Sequence, residues 1–151
     1  MMLQLRMLAF MVFSFEPDLD LSIIIVNFNV KALLKRCLKS IFDFQTVLKY
    51  EVMVIDNHSE DQSRDMVKGD FPNVWLLENA ENSGFSSACN QGIKRSRGRY
   101  LLFLNPDTEF TSEGIIEMIQ FMDNHPNIGV CGPKMIGPEG KIQFSARSFP
   151  S

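Results

Sequence analysis

Apolar positions in this chain fall into two alternating kinds of run. Leu21-Ser-Ile-Ile-Ile-Val-Asn-Phe28 is β-branched and continuous, the pattern of a strand covered on both faces. Leu33, Leu34, Cys37, Leu38, Ile41 and Phe42 then recur at helical spacing. Glu51-Val-Met-Val-Ile-Asp56 predicts a second buried strand. Ser59 with Gln62 three residues later predicts a capping box, opening a helix over Glu60 to Lys68 that Gly69 closes. Asn73 to Glu78 reads as a third strand, Ser86 to Ser96 as a helix and Arg99 to Asn105 as a fourth strand. Thr111 is placed to cap a helix running to about Asn124.

Strand followed by helix four times over implies an α/β domain with a parallel sheet, covered on both faces by right-handed crossovers. The pattern then changes. Ile128 to Gly132, Lys134 to Ile136 and Lys141 to Phe144 read as short strands, the last two joined by a turn at Gly137-Pro-Glu-Gly140. No repeat or linker divides residues 21–151, so one domain is expected there. The apolar stretch Met1 to Phe15 is too short to span a bilayer and lacks a small-residue cleavage site. Residues 1–20 are therefore treated as an N-terminal extension outside the fold. It reads first as residues from an upstream start, then as an interfacial or partner-packing segment, and last as a signal.

Composition narrows the classes further. The 151 residues are 45% apolar and 22% charged, enough for a packed core and too apolar for disorder. Fifteen basic against 18 acidic residues, with a net charge of −3 and no long basic run, exclude a general nucleic-acid binder. Cys37, Cys89 and Cys131 lie far apart with no C-x-x-C, and read as free thiols.

In open α/β sheets, ligands bind outside the carboxyl ends of the strands. Those ends are polar in this chain: Asn27 and Asn29, Asp56 and Asn57, Asn82-Ser-Gly-Phe85, and Asn105-Pro-Asp-Thr-Glu109. The familiar nucleotide loops are missing. Neither G-x-G-x-x-G nor G-x-x-x-x-G-K-[ST] follows the first strand, and no G-x-S-x-G elbow occurs. A diphosphate at such a rim needs a divalent cation to neutralise it.

Four blocks carry a resemblance: Ser22-Ile-Ile-Ile-Val-Asn-Phe-Asn29, Val54-Ile-Asp-Asn-His-Ser59, Asn82-Ser-Gly-Phe-Ser-Ser-Ala-Cys-Asn-Gln-Gly92 and Leu102-Phe-Leu-Asn-Pro-Asp-Thr108. In order and spacing they resemble the nucleotide-sugar half of the inverting family 2 glycosyltransferases. The likeness covers about residues 21–150. It is nearest the rhamnosyltransferase-like branch, with Asn-Pro-Asp in place of the usual D-x-D, then Gly132-Pro-Lys134 and Ser145-Ala-Arg-Ser-Phe-Pro150. The fold this implies is GT-A, a Rossmann-like open and mostly parallel sheet flanked by helices. Family members are longer, so the resemblance also implies an acceptor half beyond Ser151.

Roles follow from the resemblance. Asp56 would accept a hydrogen bond from the imide N–H of a uracil or thymine, on the expectation that an acid at this edge is exposed, the alternative being an Asx-turn that closes the strand before a cap. Asn27, Phe28 and Asn29 would frame the same base. Asn82, Gly84 and Asn90 would line the donor pocket, with the following helix N-terminus facing the pyrophosphate. Asp107 would hold Mg²⁺ or Mn²⁺, with Asn105 standing where the family carries its first acid. Asn105 to Thr108 also suit a type I turn, and Glu109 reads as a solvated residue before a helix.

The implied reaction is transfer of a sugar from a UDP- or dTDP-sugar to an acceptor hydroxyl with inversion. The catalytic residue is unknown, its general base being expected beyond Ser151. The implied partners are the nucleoside diphosphate sugar and a glycan or lipid-linked acceptor of surface polysaccharide synthesis, and no nucleic acid. The implied place is cytoplasmic, at the inner face of the membrane, with peripheral association and a homodimer left open. Two rivals remain: a nucleotidyltransferase, which usually carries a basic glycine-rich loop after the first strand, and a non-catalytic receiver-like module, which needs acids where Asn27 and Asn29 stand.

Overall fold

The computed structural model describes residues 10–12, 19–43, 46–109, 112–137 and 139–143. Thr111, Phe144 and the 145–150 stretch lie outside them. In chain order the elements are β1 (Phe10–Val12), β2 (Leu19–Asn27), α1 (Lys31–Phe42), β3 (Tyr50–Asp56), α2 (Ser63–Asp70), β4 (Trp75–Glu78), α3 (Phe85–Ile93), β5 (Gly98–Leu104), α4 (Ser112–Asn124), β6 (Met135–Ile136) and β7 (Ile142–Gln143).

The main sheet has the order β1-β5-β2-β3-β4, and its last four strands are parallel. Continuous apolar runs suit these strands because alternate side chains enter different layers. Ile23 and Ile25 of β2 join Val52, Val54, Leu102 and Leu104 in a core closed by Leu34, Leu38 and Ile41 of α1, Val67 of α2 and Ile119 of α4. Ile24, Met53, Ile55, Leu101 and Phe103 face the other way, against Ala88 and Cys89 of α3. Three helices therefore cover one face and α3 the other.

Several expectations need correcting. The Ser59/Gln62 capping box does not form: α2 starts at Ser63, preceded by Gln62 at φ 64° with no side-chain cap. Asp61 supplies the acceptors instead, Oδ1 taking the Ser63 N–H at 3.0 Å and Oδ2 the Lys31 N–H of α1 at 2.7 Å. Burial alone would raise the Asp61 carboxyl, but these bonds and that of the Ser63 hydroxyl hold it below its ordinary value. Gly69 lies inside α2 rather than beyond it. Ile128 to Gly132 forms no strand. From the N-terminal extension, Phe10–Val12 enters the sheet as an antiparallel edge strand on β5, too short to leave a periodic signal.

The amino ends of the strands close around Gly98. Its N–H and that of Arg97 reach the buried Ser22 hydroxyl at 2.8 and 3.2 Å, and that hydroxyl donates to Glu51 at 2.7 Å. A Cβ on Gly98 would lie 2.3 Å from the Ser22 nitrogen and 2.5 Å from the Leu21 carbonyl carbon. Nearby, the Arg95 guanidinium stacks 5.4 Å from the centre of the Trp75 ring, at the mouth of a cleft of about 480 Å³.

Candidate functional site

Register aligns the carboxyl edge. Asn27 pairs with Asp56, and Asp56 with Glu78, so three polar residues end β2, β3 and β4 in one row. The loops that follow converge on this edge, as the sequence leads one to expect.

Asp56 occupies the predicted place without the predicted exposure. Its side chain is 1% exposed. Oδ2 accepts from Asn27 Nδ2 at 2.7 Å and Oδ1 from the Ser59 N–H at 2.8 Å. Arg64 approaches Oδ1 at 3.9 Å and Glu78 at 3.8 Å, while Lys68 pairs with Glu78 at 2.7 Å, offsetting the two adjacent acids. Ser59 Oγ accepts from Asn27 Nδ2 and from the Asn29 N–H, both at 3.0 Å, and Asn29 Oδ1 accepts the Glu60 N–H at 2.8 Å. This use of Ser59 explains why it caps no helix. Between the two asparagines, Phe28 stays 46% exposed.

At the β4–α3 crossover, three amides form a network of which the sequence singled out only Asn57. The Asn57 side chain donates to the Gly84 carbonyl at 3.2 Å and accepts from Asn79 at 2.8 Å. Asn79 and Gln91 exchange two bonds, at 2.9 and 3.0 Å. No motif links residues 12 to 27 positions apart, and the only local hint was the density of amides after each strand. Asn82 Oδ1 accepts the Gly84 N–H at 3.0 Å, setting up Gly84 at φ 80° as the residue before α3. That helix has no side-chain N-cap bond, and its first residues, Phe85 to Ser87, are exposed. Its first N–H groups thus remain available to an anion. Asn90 is exposed and lies five residues into α3, roughly 7 Å along the helix from its start, and is not tied into this network.

The Asn105–Thr108 turn forms as predicted. The Asn105 carbonyl accepts the Thr108 N–H at 3.1 Å, the Thr108 hydroxyl at 2.5 Å and the Cys37 thiol at 3.8 Å. Asp107 is half-buried, and its carboxylate has no hydrogen-bond or ion-pair partner among the described residues. Glu109 is held by Arg36 of α1. Burial, then the charges of Asp107 and Glu109, push the Cys37 thiol up to about 12, and burial takes Cys89 to about 11. Both shifts keep these sulfurs as thiols at pH 8, whereas the thiolate is the species that alkylates. Iodoacetamide at pH 8 is therefore expected to modify half-buried Cys131 first and to spare Cys37 and Cys89 in the folded chain, as peptide mass mapping would show.

A parallel sheet with a polar carboxyl edge, an uncapped helix N-terminus and a half-buried acid on a turn is the arrangement expected of the GT-A class of nucleotide-sugar transferase folds. Solved structures bear this out: S. aureus TarS in complex with UDP-GlcNAc superposes at a TM-score of 0.65 with 24% identity, over 71% of this chain and 32% of that one. The mannosyltransferase PcManGT of Pyrobaculum calidifontis, in complex with GDP-Man and Mn²⁺, gives 0.63 with 20% identity, over 72% and 33%. The chain belongs to Glycosyl transferase family 2, whose model matches residues 22–149.

Among relatives, the minor teichoic acid biosynthesis protein GgaB of Bacillus subtilis is 34% identical over 114 residues, 72% of this chain and 12% of its own length. The N-acetylglucosaminyl-diphospho-decaprenol L-rhamnosyltransferase of Mycobacterium tuberculosis is 27% identical over 142 residues, 87% of this chain. The chain spans 46% of that relative, so it corresponds to less than half of each. No helix among the described residues is long and apolar enough to cross a membrane.

Proposed function

We propose that the carboxyl edge of this sheet binds a UDP- or dTDP-sugar, and that the whole protein transfers the sugar, with inversion, to a hydroxyl of a surface polysaccharide or lipid-linked glycan. One observation carries the reading: the Asn27–Asn29 loop, the Asp56–Ser59 loop, the free start of α3 and the Asn105–Thr108 turn all follow parallel strands at the same edge. The base would rest on the exposed ring of Phe28 and take an acceptor from the Asp56–Ser59 loop, with the pyrophosphate toward α3 and Asp107.

The residues present fit a divalent cation only together with a diphosphate. Asp107 offers one hard carboxylate oxygen, Asn105 is neutral, and no group of three His, Cys, Asp or Glu gathers among the described residues. Asp107 would hold Mg²⁺ or Mn²⁺, with phosphate and water completing its shell. When bound, the cation offsets the charge of the departing diphosphate. Asp56 is buried and Glu109 is paired to Arg36, so neither offers a base to an acceptor hydroxyl. That base would come from the rest of the whole protein, and this chain alone would bind donor without transferring sugar. Relatives named for teichoic acid and decaprenol-linked acceptors support the acceptor class. The same reading carries a cytoplasmic site of action at the inner membrane face, where lipid-linked acceptors are presented.

The test is calorimetry with UDP, dTDP, ADP and GDP in Mn²⁺. A pyrimidine dione offers an imide donor where adenine offers an acceptor, so UDP and dTDP should bind at least ~10-fold more tightly than ADP, matching ~1–3 kcal/mol for one unmatched polar edge. Equal affinity for ADP and UDP overturns the assignment.

A further inference from the structure

We propose that Asp56 is a positioning residue: through Asn27 and Ser59 it fixes the turn that carries Phe28, and it does not touch the nucleotide itself. The inference rests on the nucleotide reading of the rim and changes the part Asp56 plays in it.

Both carboxylate oxygens of Asp56 are engaged inside the fold, and the side chain is 1% exposed. What they hold is the far loop. Asn27 Nδ2 is shared between Asp56 Oδ2 at 2.7 Å and Ser59 Oγ at 3.0 Å, which fixes the orientation of the amide. A flip would turn the Asn27 oxygen onto the carboxylate. The cost of that orientation is visible: Asn27 Oδ1 is buried with no hydrogen-bond partner.

The next residues are tied down in turn. The Asn29 N–H reaches Ser59 Oγ, Asn29 Oδ1 takes the Glu60 N–H, and the Lys31 N–H reaches Asp61. The Asn57 N–H closes the pair on the Asn27 carbonyl at 2.8 Å. Asn29 at φ 54° and His58 at φ 66° hold left-handed backbone that non-glycine residues adopt at a cost. Two loops that are each strained and mutually bonded present one large apolar side chain to solvent, Phe28. A stacking surface gains from being held in place before the ligand arrives. The buried acid and the Ser59 hydroxyl supply that rigidity.

Three measurements decide the point. The first needs no nucleotide: 4-fluorophenylalanine at position 28 should give one narrow ¹⁹F resonance in the otherwise native chain, and a broadened or split one with Ser59→Ala. An unchanged narrow line overturns the proposal. The second is a cycle of UDP affinities in Mn²⁺. Phe28→Ala should weaken UDP about tenfold or more, as loss of a base-stacking aromatic does. Ser59→Ala should cost about tenfold on the native background and less than about twofold on Phe28→Ala, because coupled residues are not additive. Additive losses overturn the proposal.

Asp56→Asn should weaken UDP and N3-methyl-UDP by the same factor. If it abolishes the distinction between them, Asp56 touches the base and the proposal fails. Should Ser59→Ala not fold, Asp56→Asn serves in the first two measurements, since it keeps an acceptor for the Ser59 N–H and loses the bond from Asn27. An absence of UDP binding by the native chain, or an unweakened Phe28→Ala, overturns the nucleotide reading, while the fluorine spectrum still decides whether Asp56 and Ser59 hold the ring.

Discussion

Asp107→Asn is expected to weaken UDP binding in Mn²⁺ on the order of 100-fold, at the upper end of the ~10–100-fold that even a supporting partner of a metal is worth. Asp107 is half-buried and unpaired among the described residues, at the end of β5 where Cys37 and Thr108 brace its turn. Without a cation, its charge would repel a diphosphate. With one, the same charge becomes an attraction. EDTA should therefore weaken the native chain at least as much as the substitution does, and should change the affinity of the Asp107→Asn variant little. Uridine, with no phosphates to neutralise, should bind equally well in all four conditions. Calorimetry checks each arm, and diphosphate binding indifferent to both treatments would reduce Asp107 to a turn residue.

Gly98→Ala should be the most damaging small substitution in the described fold. Its added carbon would sit 2.3 Å from the backbone nitrogen of Ser22 and 2.5 Å from the carbonyl carbon of Leu21, in the strand beside it. Backbone paired on both sides cannot move away as a side chain can. The cost should reach or exceed ~3 kcal/mol, the top of the usual overpacking range, and should lower Tm by roughly 10 °C or more. Gly92→Ala is the control. There the added carbon meets the Ile24 Cγ2 atom at 2.7 Å, and a side chain can rotate or shift, so a smaller loss is expected. Equal melting points for the two variants would contradict the distinction.

What could be read in the sequence divides by the distance over which residues cooperate. The four parallel strands were legible because each is a local apolar run, β-branched in β2 and β3 and rich in leucine and aromatic residues in β4 and β5, and the Asn105–Thr108 turn because Pro106 and its neighbours encode it within four positions. The burial of Asp56 was not legible. It depends on Asn27, 29 positions earlier, turning its amide inward, and on Ser59 choosing the loop over the helix. The same reasoning hid the pairing of Glu109 with Arg36, 73 positions away, and of Asn79 with Gln91. Polar residues at the strand ends announced where a site would lie. They did not announce which of them face inward as scaffolding.

The lone tryptophan adds a practical consequence. Trp75 begins β4, under Arg95, at the end of the sheet away from Phe28 and Asp107. Its emission should follow the integrity of the sheet and stay blind to events at the far edge. An unfolding curve read from that one fluorophore, with and without UDP, separates a variant that has lost its shape from one that has lost only its ligand, within a single sample.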